Sequence, residues 1–94
     1  MAYDIADIKN RIKTYISSTN VISLGEAYAV CLNNQNELFV ENIATLRKYS
    51  LDDVLLCINE DASFFEALLP EYVIIHKLLK QWYYDAVTME DYYV

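Results

Sequence analysis

Apolar residues near the start of the chain recur at steps of three and four: Ile5, Ile8, Ile12, Tyr15 and Ile16. That spacing lays one stripe along a helix and turns Lys9, Arg11 and Lys13 outward. Asp4, followed three positions on by Asp7, supplies a start, because a capping side chain accepts from a backbone N–H that the first turn leaves without a partner. The pattern predicts a helix over 4–18. Ser50 with Asp53 opens a second helix through Val54, Leu55 and Ile58, ending near Asn59, and its early acids suit the positive end of the helix dipole. Asp61 caps a short segment holding Phe64, Phe65 and Leu68. Pro70, tolerated in a first turn, then starts or kinks a longer helix. In that helix Val73, Ile74, Ile75, Leu78, Leu79 and Trp82 cover more than half the circumference, which predicts a central position. Ile74, Leu78 and Trp82, four apart, are the expected core stripe.

Residues 23–48 admit two readings. Ser23 with Glu26 and Asn34 with Glu37 fit capping boxes and would give two further helices. Against this, 27–32 and 37–41 flank Asn33-Asn34-Gln35-Asn36, a turn composition, and put Tyr28, Val30 and Leu32, then Leu38 and Val40, on one face of a strand pair. The hairpin is the favoured reading, with Ile43–Lys48 as a short helix leading to the Ser50 cap. The expected fold is mainly α: a small α+β domain of about four helices with one β-hairpin near residues 27–41, the alternative being an all-α bundle. One glycine, Gly25, and one proline leave no linker, so 1–94 reads as a single compact domain.

Charge changes the picture more than composition does. The chain has 94 residues, 55% of them apolar, and a formal charge of −7, which excludes disorder and suits a globular protein. Between Lys48 and Lys77 stand Asp52, Asp53, Glu60, Asp61, Glu66 and Glu71 with no fixed positive charge, and Asp85, Glu90 and Asp91 follow near the end. Such a surface repels nucleic acid and anionic lipid and attracts basic protein surfaces. Lys9, Arg11 and Lys13 are too few to supply a phosphate footprint, so no direct nucleic-acid binding is expected. Apolar runs fall far short of the roughly 20 residues a bilayer span needs, and Met1 is followed by Asp4, Asp7 and Lys9 instead of a basic and then apolar signal. A cytoplasmic protein with no membrane contact is expected.

Motifs for chemistry are lacking. Cys31 and Cys57 stand in apolar runs with no metal-ligand spacing, so buried, reduced thiols and no metal are expected. His76, on the apolar helix, reads as a core-edge residue. One glycine rules out a phosphate-cradling loop. Asp52-Asp53 and Glu60-Asp61 sit at helix starts, where capping accounts for them. No catalytic residue, cofactor or enzymatic activity is expected.

The aromatic residues of the last helix point elsewhere. Trp82, Tyr83 and Tyr84 span some 200° of a helix, and Tyr92 and Tyr93 follow behind Glu90 and Asp91. Tyrosine and tryptophan anchor interfaces, and neighbouring acids complement arginine or lysine on a partner. The candidate partner-binding set is therefore the nine acids from Asp52 to Asp91 named above, with Trp82, Tyr83, Tyr84, Tyr92 and Tyr93. The order helix, hairpin, helices in under a hundred acidic residues resembles, in architecture alone, small phage anti-CRISPR proteins that mimic nucleic-acid charge, and antitoxin-like immunity proteins share these features. The resemblance implies an inhibitor that occludes a basic, nucleic-acid-binding surface of a protein partner such as a nuclease. The alternative is a structural homo-oligomeric helical module or adaptor subunit, a homodimer joined through the tyrosine-rich end.

Overall fold

The computed structural model describes residues 3–19, 21–60 and 70–93. In chain order these form α1 (Ile5–Thr19), β1 (Val21–Leu24), β2 (Tyr28–Leu32), β3 (Leu38–Asn42), β4 (Lys48–Ser50), α2 (Leu51–Cys57) and α3 (Pro70–Tyr93). The strands make an antiparallel meander in the order β1-β2-β3-β4. The fold is thus α+β, with three helices and a four-stranded sheet among the described residues, and the expected mainly-α domain of about four helices is corrected. The helix expected after Asp61 lies outside the described residues.

The hairpin expected near 27–41 is present as β2 and β3, in the register Val30↔Val40 and Leu32↔Leu38. Strands β1 and β4 were hidden for a physical reason. Val21–Leu24 alternates exposed and buried positions over only four residues, and Lys48–Ser50 buries Tyr49 alone. So short a stretch gives no periodicity of its own; pairing with a longer neighbour makes it a strand. Val21↔Cys31 and Leu24↔Tyr28 hold β1, and Val40↔Tyr49 holds β4.

Turn chemistry explains why 43–48 is not a helix. The Asn42 side-chain oxygen accepts from the backbone N–H groups of Ala44 at 2.9 Å and Thr45 at 3.0 Å, while Asn42 N–H donates to the Arg47 carbonyl at 2.9 Å. Asparagine closing its own turn in this way competes with helix formation. Asn33 does the same between β2 and β3, accepting from Gln35 at 2.8 Å and Glu37 at 2.9 Å. Between β1 and β2, Gly25 adopts φ +61°, and a Cβ there would lie 3.2 Å from Leu78 Cδ2. Glycine adopts this backbone conformation without strain, and a side chain there would press on Leu78 of α3.

Alternation puts Ile22, Leu24, Tyr28, Val30, Val40 and Tyr49 on the helix-facing side of the sheet. They pack against Ile8, Ile12 and Ile16 of α1, Leu51, Val54 and Leu55 of α2, and Ile75 and Leu79 of α3. α1 and α2 begin as the sequence indicates: Asp7 N–H donates to Asp4 Oδ1 at 3.2 Å, and Asp53 N–H to Ser50 Oγ at 3.3 Å. The phase of α3 is corrected. Ile75 and Leu79 are fully buried and His76 nearly so, with Leu78 and Trp82 only partly buried and Ile74 50% exposed. Nor is the helix a central spine: among the described elements it packs chiefly on α2 and β1. The expected stripe was one position out because His76 counts as polar by composition yet faces the core. No helix among the described residues is long and apolar enough to cross a membrane.

Candidate functional site: an acid-rimmed groove between two helices

The acid-rich segment does not stay free of positive charge once folded. Lys9 of α1 reaches Asp52 at 3.0 Å, and Arg47 of the β3–β4 turn reaches Glu71 at 3.6 Å. The sheet and α1 therefore supply cations that the linear sequence places elsewhere. Exposed pairs of this kind add little stability, at most about 1 kcal/mol each. Asp53 and Glu60 are exposed, and Asp85, also exposed, accepts from Gln81 Nε2 at 2.9 Å. Asp61 and Glu66 lie outside the described residues. For Glu90, Asp91, Tyr92 and Tyr93 only the helical backbone is described.

The aromatic residues divide. Trp82 meets Tyr15 edge-on at 6.1 Å, and Tyr83 meets Tyr3 at 6.1 Å with the Arg11 guanidinium 5.9 Å from its ring centre. The Tyr83 hydroxyl donates to Asp7 Oδ2 at 2.6 Å, where Arg11 Nε also donates at 3.0 Å. Trp82 and Tyr83 thus fasten α3 to α1 while each keeps part of its surface exposed. Tyr84, 64% exposed, is left outside this cluster.

What the structure does bring together is a groove between α1 and α2. Ile5, Leu55 and Leu56 supply apolar surface, Asp52 and Glu60 stand on its rim beside Lys9, and its volume is about 450 Å³. Leu56 is 62% exposed although Leu55 and Cys57 beside it are buried. Asn59 fixes one wall, since its side chain accepts from Tyr3 N–H at 2.7 Å and donates to the Tyr3 carbonyl at 2.9 Å. That clamp holds the chain entering α1 against the end of α2. Sequence reasoning selected Asp52 and Glu60 but passed over Leu56, whose outward position depends on the phase of a seven-residue helix, and Asn59, whose contact spans 56 positions.

Cys57 is buried as expected, whereas Cys31, also expected to be buried, is only partly so. Burial raises the Cys57 thiol above its ordinary range, with Asp53 and Glu60 adding to the effect, and burial and Glu41 do the same for Cys31. Burial also lowers His76 to about 4, with Lys80 and Lys77 contributing, so the ring is neutral near pH 7. Among the described residues no group of three or more His, Cys, Asp and Glu side chains is placed to hold a metal ion. The chain matches no protein-family model, no curated protein and no solved structure.

Proposed function

We propose that this protein is a non-enzymatic binding protein that occludes a basic surface of a protein partner, such as the nucleic-acid-binding face of a nuclease, through α2 and the groove beside it. The observation that supports this reading most directly is Lys9 on Asp52 at 3.0 Å, on the rim of an apolar groove next to the exposed Leu56. The chain's own ammonium shows the chemistry the rim accepts, and a partner's arginine or lysine would make the same contact while an apolar neighbour covers Leu56. Asp53 and Glu60 extend the negative field around it and favour encounter with a cationic surface.

The test is capture of partners from cell extract at low and high salt, using the natural chain and a chain with Asp52→Lys, Asp53→Lys and Glu60→Lys. The reading expects a partner with a basic surface that is retained at low salt, released at high salt and lost with the triple change. A partner held equally at both salts and by both chains would defeat it.

Self-association is a second reading, supported by a different surface. On the sheet face away from the helices, Val21, Cys31 and Phe39 form a cross-strand row, and the neighbouring row carries one acid, Glu41, and one base, Lys48. Two copies of a strongly acidic chain would meet there with little repulsion. Sedimentation across a concentration series separates the two readings, a Phe39-dependent dimer favouring the second.

A further inference from the structure

Leu46, whose N–H donates to the Asn42 carbonyl at 2.8 Å in the turn between β3 and β4, combines a left-handed backbone with an exposed side chain. Its backbone sits at φ +64°, a conformation that glycine or asparagine adopts readily and a bulky residue adopts under strain. Its side chain is 66% exposed, so burial does not offset that strain. Asn36 occupies the equivalent left-handed position in the preceding turn, at φ +62°, as the conformation prefers.

Leu46 lines a groove of about 660 Å³ together with Ile74, Tyr28, Tyr49, Arg47 and Glu71. Two of its lining rings, Tyr28 and Tyr49, meet edge-on at 6.4 Å, and behind them Tyr49 meets Tyr72 at 5.5 Å. Ile74 is the residue of α3 that the corrected helix phase turns outward. The groove carries one half-used carboxylate. Glu71 Oε1 lies 3.6 Å from Arg47 Nη1, while Glu71 Oε2 is shielded from solvent and makes no hydrogen bond. A shielded carboxylate oxygen without a donor is costly, and a guanidinium can donate to both oxygens at once. Arg47 makes a long contact to one oxygen, and its side chain is 61% exposed, so it can be displaced without disturbing the core.

We propose that this groove is a second docking site, for a partner segment in which an arginine stands beside large apolar residues. The arginine takes both oxygens of Glu71 and displaces Arg47. The apolar neighbours cover Leu46 and Ile74, and the tyrosines give the guanidinium an aromatic wall. The site deepens the reading of a protein that binds basic partners, but it shares no residue with the α1–α2 groove and stands or falls separately.

The test is residue-resolved NMR titration of the full chain with the peptide acetyl-Leu-Arg-Phe-amide, its citrulline counterpart and ethylguanidinium. Expected are saturable shifts at Tyr28, Leu46 and Ile74, with binding about tenfold weaker for the citrulline peptide and for Glu71→Gln, the scale of one charge-assisted hydrogen bond. Arg47→Ala should tighten binding by removing the internal competitor. Leu46→Gly should raise the melting temperature while weakening the peptide. The proposal is overturned by absence of saturable shifts, by equal affinity for arginine and citrulline, by loss of binding in Arg47→Ala, or by ethylguanidinium saturating the site as readily as the peptide. Shifts confined to Leu56 and Asn59 would overturn it while supporting the α1–α2 groove.

Discussion

The Tyr83 hydroxyl donates to the Asp7 carboxylate at 2.6 Å, joining α3 to α1 across 76 positions of sequence. This bond, with Arg11 second, holds Asp7 below the ordinary carboxylate range; on the other side, the bond to Asp7 and then burial raise Tyr83 above the ordinary phenol range. A depressed carboxylate contributes stability above its unfolded pKa and loses it as pH falls through the folded value. Tyr83→Phe should therefore raise the Asp7 pKa, read by NMR titration. It should also lower the melting temperature at neutral pH, an effect that fades once Asp7 is protonated.

The phase of α3 is tested by a pair of truncations. Leu79→Ala empties a fully buried position and should cost about 2–5 kcal/mol, whereas Ile74→Ala, half exposed, should stay within about 0.5 kcal/mol. Chemical denaturation of both variants decides between this phase and the stripe through Ile74, Leu78 and Trp82 that spacing alone suggests.

Much of this fold was legible where a segment is long enough to carry its own period or cap. The α1 stripe, the Ser50 cap, Pro70 at the start of α3 and the β2–β3 hairpin all have that property. What escaped was decided by tertiary partners. β4 exists because Tyr49 pairs with Val40, and Asn42 becomes a turn former only once Arg47 comes back to its N–H. The candidate site behaves alike. Asp52 and Glu60 are visible as acids in sequence, but their neutralising cation, the outward Leu56 and the Asn59 clamp belong to contacts between α1 and α2.

Gly25 and Leu78 form a coupled pair. Gly25→Ala should destabilise by about 1–2 kcal/mol from the left-handed backbone alone. The added Cβ also meets Leu78 Cδ2 at 3.2 Å. In the Leu78→Ala background that second part should vanish, so a double-mutant cycle should return a non-zero coupling; strict additivity would mean that the close approach has no energetic consequence.

His76 gives the fold a built-in acid sensitivity. Its folded pKa, about 4, lies below the ordinary 6.5, so the neutral ring is the form the native state prefers. That contribution is complete above about pH 6.5, declines as pH falls towards 4, and amounts to about 3 kcal/mol when lost. Stability of the natural chain should drop across this window more steeply than that of His76→Gln, compared by denaturant titration at several pH values.

Lys9 offers a sharper test of the α1–α2 groove than removing its acids. Reversing Asp52, Asp53 and Glu60 weakens any cationic partner, whether it docks in the groove or merely feels the field. Lys9 instead competes with the partner for Asp52, so Lys9→Met should strengthen binding of a captured basic partner, most at low salt, where the competing pair is strongest. Leu56→Ser should leave the association rate nearly unchanged and speed dissociation, because an apolar anchor acts after encounter and the residue is not needed by the core. Stopped-flow association and dissociation rates separate the two effects. If Lys9→Met weakens the complex, the ammonium is part of the interface and not a stand-in for the partner, and the groove must be assigned a ligand of mixed charge.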